Sequence, residues 1–97
     1  RLAAMKRGAF LINTARGDVV DQNALIEALR RGEIAGAGLD VFDGEPQIPE
    51  PLKHMENVVL LPHLGSATKE TRVAMGMQAV ENLVAFFDGR PVPDRVV

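Results

Sequence analysis

The chain has 97 residues, 46% hydrophobic and 25% charged, with a net charge of −2 and no cysteine. That bounds it to one small domain with a modest core, too apolar to be disordered. The charge balance offers no footprint for a nucleic acid or an anionic membrane; the absent thiols exclude disulfide frameworks and cysteine-based zinc sites, and no metal site is expected.

In chain order, residues 2–8 read as the last turns of a helix with Gly8 just past its end, and a helix entered halfway points to a fragment. No long apolar segment follows the basic start, so no secretory signal is read and a cytoplasmic setting is the default. Residues 9–14 are a short, nearly continuous apolar run ending in polar residues, which predicts a strand buried on both faces, as in a parallel sheet. A turn at 15–18 leads to Asp21, a candidate N-cap, and a helix over 22–31. Its expected buried side is Ala24, Leu25, Ala28 and Leu29, and Gly32 closes it.

A second, glycine-rich strand is predicted at 34–41. Pro46, Pro49 and Pro51 mark residues 43–53 as a structured loop, with one helical turn at 52–55. A third strand at 57–61 is stopped by Pro62. Ser66 or Thr68 then caps a long helix to about residue 88, with Val73, Met77, Val80, Leu83, Val84 and Phe87 at helical spacing as its apolar side. Gly89 and Pro91 end it, and residues 90–97 are an extended tail. Strands separated by helices or long crossovers make an α/β protein with a parallel sheet.

In such a sheet, ligands bind beyond the carboxyl ends of the strands. The three strands deliver Asn13, Thr14 and Arg16, then Asp40 and Glu45, then His63 to that edge. If the strands are adjacent, Arg16, Glu45 and His63 converge. Arginine clamps a carboxylate with two parallel donors. Histidine exchanges a proton near neutral pH, and a carboxylate bonded to it fixes its orientation. Together they can anchor an acid, protonate an adjacent carbonyl oxygen and stabilise the developing charge. Taken singly, each has a plainer reading as a strand-end or loop polar group, and His54, in a charged segment, receives no role. Gly36-Ala37-Gly38 resembles the start of a dinucleotide fingerprint, but Val41 stands where the third glycine belongs and the glycines fall inside a strand. They are read as admitting a close neighbour.

Three segments, Ile12-Asn13-Thr14-Ala15-Arg16-Gly17, Gly38-Leu39-Asp40-Val41-Phe42-Asp43-Gly44-Glu45-Pro46 and Leu61-Pro62-His63-Leu64-Gly65-Ser66-Ala67-Thr68, resemble the D-isomer-specific 2-hydroxyacid dehydrogenases in order and spacing. The likeness covers essentially the whole chain and is nearest to glyoxylate and hydroxypyruvate reductases. It implies the C-terminal part of a Rossmann-type NAD(P)-binding domain over 1–88, without the phosphate-binding half, and a tail at 89–97 that packs on a separate substrate domain. It also implies NAD or NADP as cofactor, a small 2-keto or 2-hydroxy acid as substrate, and a homodimer. By resemblance, Arg16 binds the substrate carboxylate, His63 is the general acid or base and Glu45 pairs with it. Thr14, Ala15, Arg16, Asp40, His63, Leu64, Gly65 and Ser66 line the cofactor, with Asp40 near the nicotinamide carboxamide. The 97-residue chain alone is expected to be inactive. The competing expectation is a dinucleotide-binding, corepressor-like module without turnover.

Overall fold

The computed structural model describes residues 1–96. They form two compact units, one of residues 1–65 and one from Ser66 onward; the division expected from the sequence lies at 88/89.

The first unit is a three-stranded parallel sheet in the order β1-β2-β3, from β1 (Phe10–Asn13), β2 (Gly36–Leu39) and β3 (Val58–Leu60). All three carboxyl ends therefore lie on one edge. The segment between β1 and β2 carries α1 (Gln22–Arg30), and that between β2 and β3 carries the short α2 (Glu50–Lys53). Asp21 caps α1 by accepting from the Ala24 N–H at 2.9 Å. Gly32, at φ 64°, ends it: its N–H reaches Leu29 O, and the Glu33 N–H reaches Ala28 O. That pair of bonds requires the left-handed residue which glycine supplies without strain.

Side chains alternate across a strand, so each face of the sheet has its own fate. One face carries Leu11, Ala37, Leu39, Val58 and Leu60, which pack with Leu25, Ala28 and Leu29 of α1, Ile34, Phe42 and Leu52 as the core. The other carries Phe10, Ile12, Val59 and Leu61 and is open; Phe10 is 67% exposed and Ile12 66%. This corrects the expectation that the first strand is buried on both faces. An apolar run shows that a strand can be covered twice, not that its own chain covers it. The β2 glycines do admit close neighbours. A Cβ on Gly38 would lie 2.9 Å from the Ile12 methyl, and one on Gly36 would meet the Asn57 carbonyl.

Local differences have simple causes. Residues 2–8 hold a single 3₁₀ turn at Leu2–Ala4 rather than the end of an α-helix; one turn has too few bonds to propagate. Ile26 is buried in α1 and Ala24 is exposed, because the core reaches the larger side chain. α2 starts at Glu50, earlier than expected, since Pro51 falls in its first turn, where no N–H is needed.

The second unit is α3 (Lys69–Phe87) and the tail after it. Thr68 caps α3 by accepting from the Thr71 N–H at 3.2 Å. Gly89, at φ 67°, closes it through the same bond pair as Gly32. The tail is tied back by Asp94, whose carboxylate accepts from Gln78 at 3.0 Å and Asn82 at 2.7 Å. Those donors hold the Asp94 carboxyl below its ordinary range. Val73, Met77, Val80, Leu83, Val84 and Phe87 are exposed, and Ala85 is the buried residue of the helix. The helical period is right, but a unit of one helix and a tail cannot cover that side.

The two sheet faces should respond differently to mutation. In urea unfolding of this chain, Leu25→Ala should cost about 2–5 kcal/mol. Ile12→Thr, on the open face, should stay within about 0.5 kcal/mol. Equal losses would contradict the one-sided core.

Candidate active site

Each strand ends in a loop whose backbone is held by side-chain hydrogen bonds. After β1, the buried Asn13 folds the turn: its Oδ1 accepts from the Ala15 N–H at 3.1 Å and its Nδ2 donates to Arg16 O at 2.9 Å. This Asx-type turn sets where Arg16 emerges. Gly17 lets that loop press on the next, since a Cβ there would collide with the Phe42 and Asp43 backbone. After β2, Glu45 is held by the Phe42 N–H, which donates to its Oε1 at 2.8 Å. After β3, Leu61 N–H makes a last ladder bond to Leu39 O, and Pro62 has no N–H to continue it.

His63 then takes φ 56°. This left-handed backbone costs a residue with a Cβ about 1–2 kcal/mol. The buried Asp40 carboxylate holds the residues just after it, accepting from the Leu64 N–H at 2.7 Å and the Gly65 N–H at 3.0 Å.

The three loops meet as the strand order requires. Arg16, Glu45 and His63 line one open pocket of about 320 Å³, with Asp18 and Phe42. Glu45 Oε2 lies 2.8 Å from His63 Nδ1. The imidazole bond, the Phe42 N–H and the nearby Arg16 charge hold the Glu45 carboxyl below its ordinary 4.5. Glu45 is therefore ionised at neutral pH and can only accept. Nδ1 must donate to it, which leaves Nε2 as the nitrogen that can give or take a proton. A larger groove of about 650 Å³, lined by Leu2, Val20 and Ala28, lies away from the strand ends.

On the open sheet face, a groove of about 440 Å³ is floored by Ile12, Gly38 and Leu61, with Thr14 and Asp40 among its polar lining residues. A flat apolar ring edged with a carboxamide, as in nicotinamide, fits an apolar floor with polar groups beside it. Of the other expected cofactor residues, Ala15 lies in the Asn13 turn and Leu64 and Gly65 lie on Asp40. Ser66 opens the second unit. The sequence reading places Asn13 at the ligand edge but not as the brace of the turn, and gives no role to Gly17 or the Phe42 N–H. An asparagine two residues before Ala15 is the one local signal among them.

Two measurements check this geometry. The Glu45 carboxyl, followed by carbon NMR, should titrate below 4.5 and return towards it in His63→Ala; identical midpoints would refute the pairing. Because the folded value is lowered, the stability from the pair is present above 4.5 and lost as pH falls through the folded-state midpoint. At the strained turn, His63→Gly should be more stable than His63→Ala by about 1 kcal/mol, and the reverse order would contradict a left-handed residue there.

Comparison with known proteins places this geometry in a family. Residues 1–65 match the family model described as D-isomer specific 2-hydroxyacid dehydrogenase, NAD binding domain. A glyoxylate reductase of Aeropyrum pernix is 55% identical over 96 residues, covering 98% of this chain and 29% of that protein. A glyoxylate/hydroxypyruvate reductase B of Escherichia coli is 54% identical over 91 residues, covering 93% of this chain and 28% of that protein. The crystal structure of an NADPH-dependent glyoxylate/hydroxypyruvate reductase from Sinorhizobium meliloti, in complex with NADP and malonate, matches with a TM-score of 0.86 and 52% identity, covering 89% of this chain and 27% of that one. The chain thus spans under a third of the length of these relatives. With the match over 1–65, the polar edge of a parallel sheet and the histidine–carboxylate pair on it, the chain belongs to the D-isomer specific 2-hydroxyacid dehydrogenase family, in its NAD-binding domain.

Proposed function

We propose that this chain carries the proton-transfer and acid-anchoring side chains of an NAD(P)-dependent reductase of small 2-keto acids, with glyoxylate and hydroxypyruvate as the nearest substrates. The observation that carries the reading is the 2.8 Å pair between Glu45 and His63 in the pocket that Arg16 also lines. The relatives' names support the substrate class. Nothing favours the corepressor-like alternative.

The roles follow from the donors and acceptors. NAD(P)H, when bound, supplies the hydride that reduces C2 of the keto acid. Arg16 binds the substrate carboxylate through two parallel N–H donors and places positive charge beside the keto oxygen. His63 gives its Nε2 proton to that oxygen in reduction, and takes it back from the hydroxyl in oxidation. Glu45 keeps the ring turned and balances the imidazolium. Thr14, Ala15, Asp40, Leu64, Gly65 and Ser66 belong, in this reading, to the nicotinamide end of the cofactor site.

The reading assigns residues 1–88 to the cofactor-binding domain and 89–97 to a tail that meets a substrate domain. Phosphate contacts and the NAD or NADP choice fall to segments of the kind the longer relatives have. A homodimer is part of the reading, supported by the exposed apolar sides of β1, β3 and α3, which call for cover. A cytoplasmic setting goes with a supply of NAD(P)H. No helix among the described residues is long and apolar enough to cross a membrane.

Replacing the matching segment of the Aeropyrum reductase by this chain gives a full-length protein in which to test the roles. The chimera should reduce glyoxylate or hydroxypyruvate with NADH or NADPH. Tight dinucleotide binding without turnover in a folded chimera would sink the reading. Within it, His63→Ala should lower kcat by about 10²–10⁴ with little change in KM. Arg16→Ala should raise KM for the keto acid as well as lower kcat. Glu45→Gln should shift the pH profile, and an unshifted profile would count against the pair's part in proton transfer.

A further inference from the structure

We propose that Asp40 is a positioning residue for His63: its carboxylate grips the backbone just after the histidine and so holds the left-handed turn that aims the imidazole at Glu45. The inference deepens the reading of His63 as the proton carrier and rests on it for its catalytic consequence, but its structural part stands without it.

The grip is specific. Asp40 is 4% exposed, and both of its oxygens are used, Oδ1 on the Leu64 N–H at 2.7 Å and Oδ2 on the Gly65 N–H at 3.0 Å. A carboxylate that accepts from two successive backbone amides resists rotation of the peptide units between them, and charged acceptors make the stronger bonds. Asp40 is itself anchored, because its N–H donates to Asn13 O at 3.0 Å, continuing the pairing of β1 and β2. The turn after β3 is thus fastened to the middle strand of the sheet.

His63 needs such a fastening. A residue with a Cβ at φ 56° persists only where its surroundings over-determine it. The ring's bond to Glu45 is on a half-exposed side chain and spans two loops. The Asp40 bonds act on the two residues next to the histidine. They fix the direction in which the Cα–Cβ bond leaves the backbone, and the Glu45 bond then fixes the ring. Two carboxylates from the same β2–α2 segment therefore control one histidine, one through backbone and one through side chain.

The isosteric change Asp40→Asn is the test. An asparagine keeps the shape but has one oxygen, so one of the two amides must face an NH₂ group that cannot accept. In the 97-residue chain, amide exchange at Leu64 or Gly65 should quicken at least tenfold relative to the α1 amides, and the Glu45 carboxyl midpoint should move towards that of His63→Ala. Unchanged exchange together with an unchanged Glu45 midpoint in folded Asp40→Asn would overturn the proposal. The unmutated chain gives a check that needs no variant: although Leu64 and Gly65 are exposed residues, their amides should be protected, and exchange at the rate of a free loop would overturn it too. In the full-length chimera, Asp40→Asn should lower kcat tenfold or more; because Asp40 also lines the groove assigned to nicotinamide, KM for NAD(P)H can rise as well, and the positioning role is read from the Glu45 midpoint. A raised cofactor KM with the Glu45 midpoint and the Leu64 and Gly65 exchange rates unchanged would overturn it. Failure of the parent reading shows separately, as His63→Ala turning over normally while the Asp40 signatures in the chain stand.

Discussion

The hydrogen bond between Glu45 Oε2 and His63 Nδ1 joins two loops that are 18 residues apart in sequence. Its length, 2.8 Å, is set less by the two side chains than by what lies beneath them. The strands must be parallel for their carboxyl ends to share an edge. β2 must lie between β1 and β3 for the Arg16, Glu45 and His63 loops to be neighbours. The Gly17 turn must pass close to the Phe42 backbone, and the Phe42 N–H must hold the second oxygen of Glu45. The chemistry of the edge then reduces to one choice. Nδ1 is committed to an ionised carboxylate, so Nε2 is the nitrogen free to act.

This arrangement separates stability from function along the sheet. One face and α1 make the core, and the loops at the carboxyl edge carry polar groups braced by backbone bonds. Asn13 and Asp40 are buried polar side chains at strand ends; Asn13 spends its hydrogen bonds on the turn of its own loop, and Asp40 on the turn after β3. Burial makes these bonds costly to break. Buried strand-end residues can in this way fix the direction in which Arg16 and His63 leave the backbone. The strain at His63 is then an expense of presentation, since an extended residue there would point its ring elsewhere.

The three strands, the caps at Asp21, Gly32 and Gly89, the α3 cap as one of two candidates (Ser66 or Thr68), and the meeting of Arg16, Glu45 and His63 were legible in the sequence. Each depends on local chemistry or on the rule that parallel strands share an edge. What was hidden is non-local or depends on cover. Nothing near position 63 marks a left-handed residue. The Asp40 bonds that support it reach across 24 and 25 residues. The apolar run of β1 and the apolar period of α3 are real patterns in the sequence, but the expectation of burial within this chain is overturned, because a pattern does not say what covers it. Phe10, Ile12, Val80 and Leu83 are exposed in this chain because nothing in their own units covers them.

The central claim is that Glu45 and His63 act as one proton-handling unit. The most direct test is a double-mutant cycle on kcat in the full-length chimera, with His63→Ala, Glu45→Ala and both together. If the pair is a unit, the double variant should be no slower than His63→Ala alone, because Glu45 has nothing left to orient. If the two losses instead multiply, Glu45 contributes independently of the histidine, and the account is contradicted.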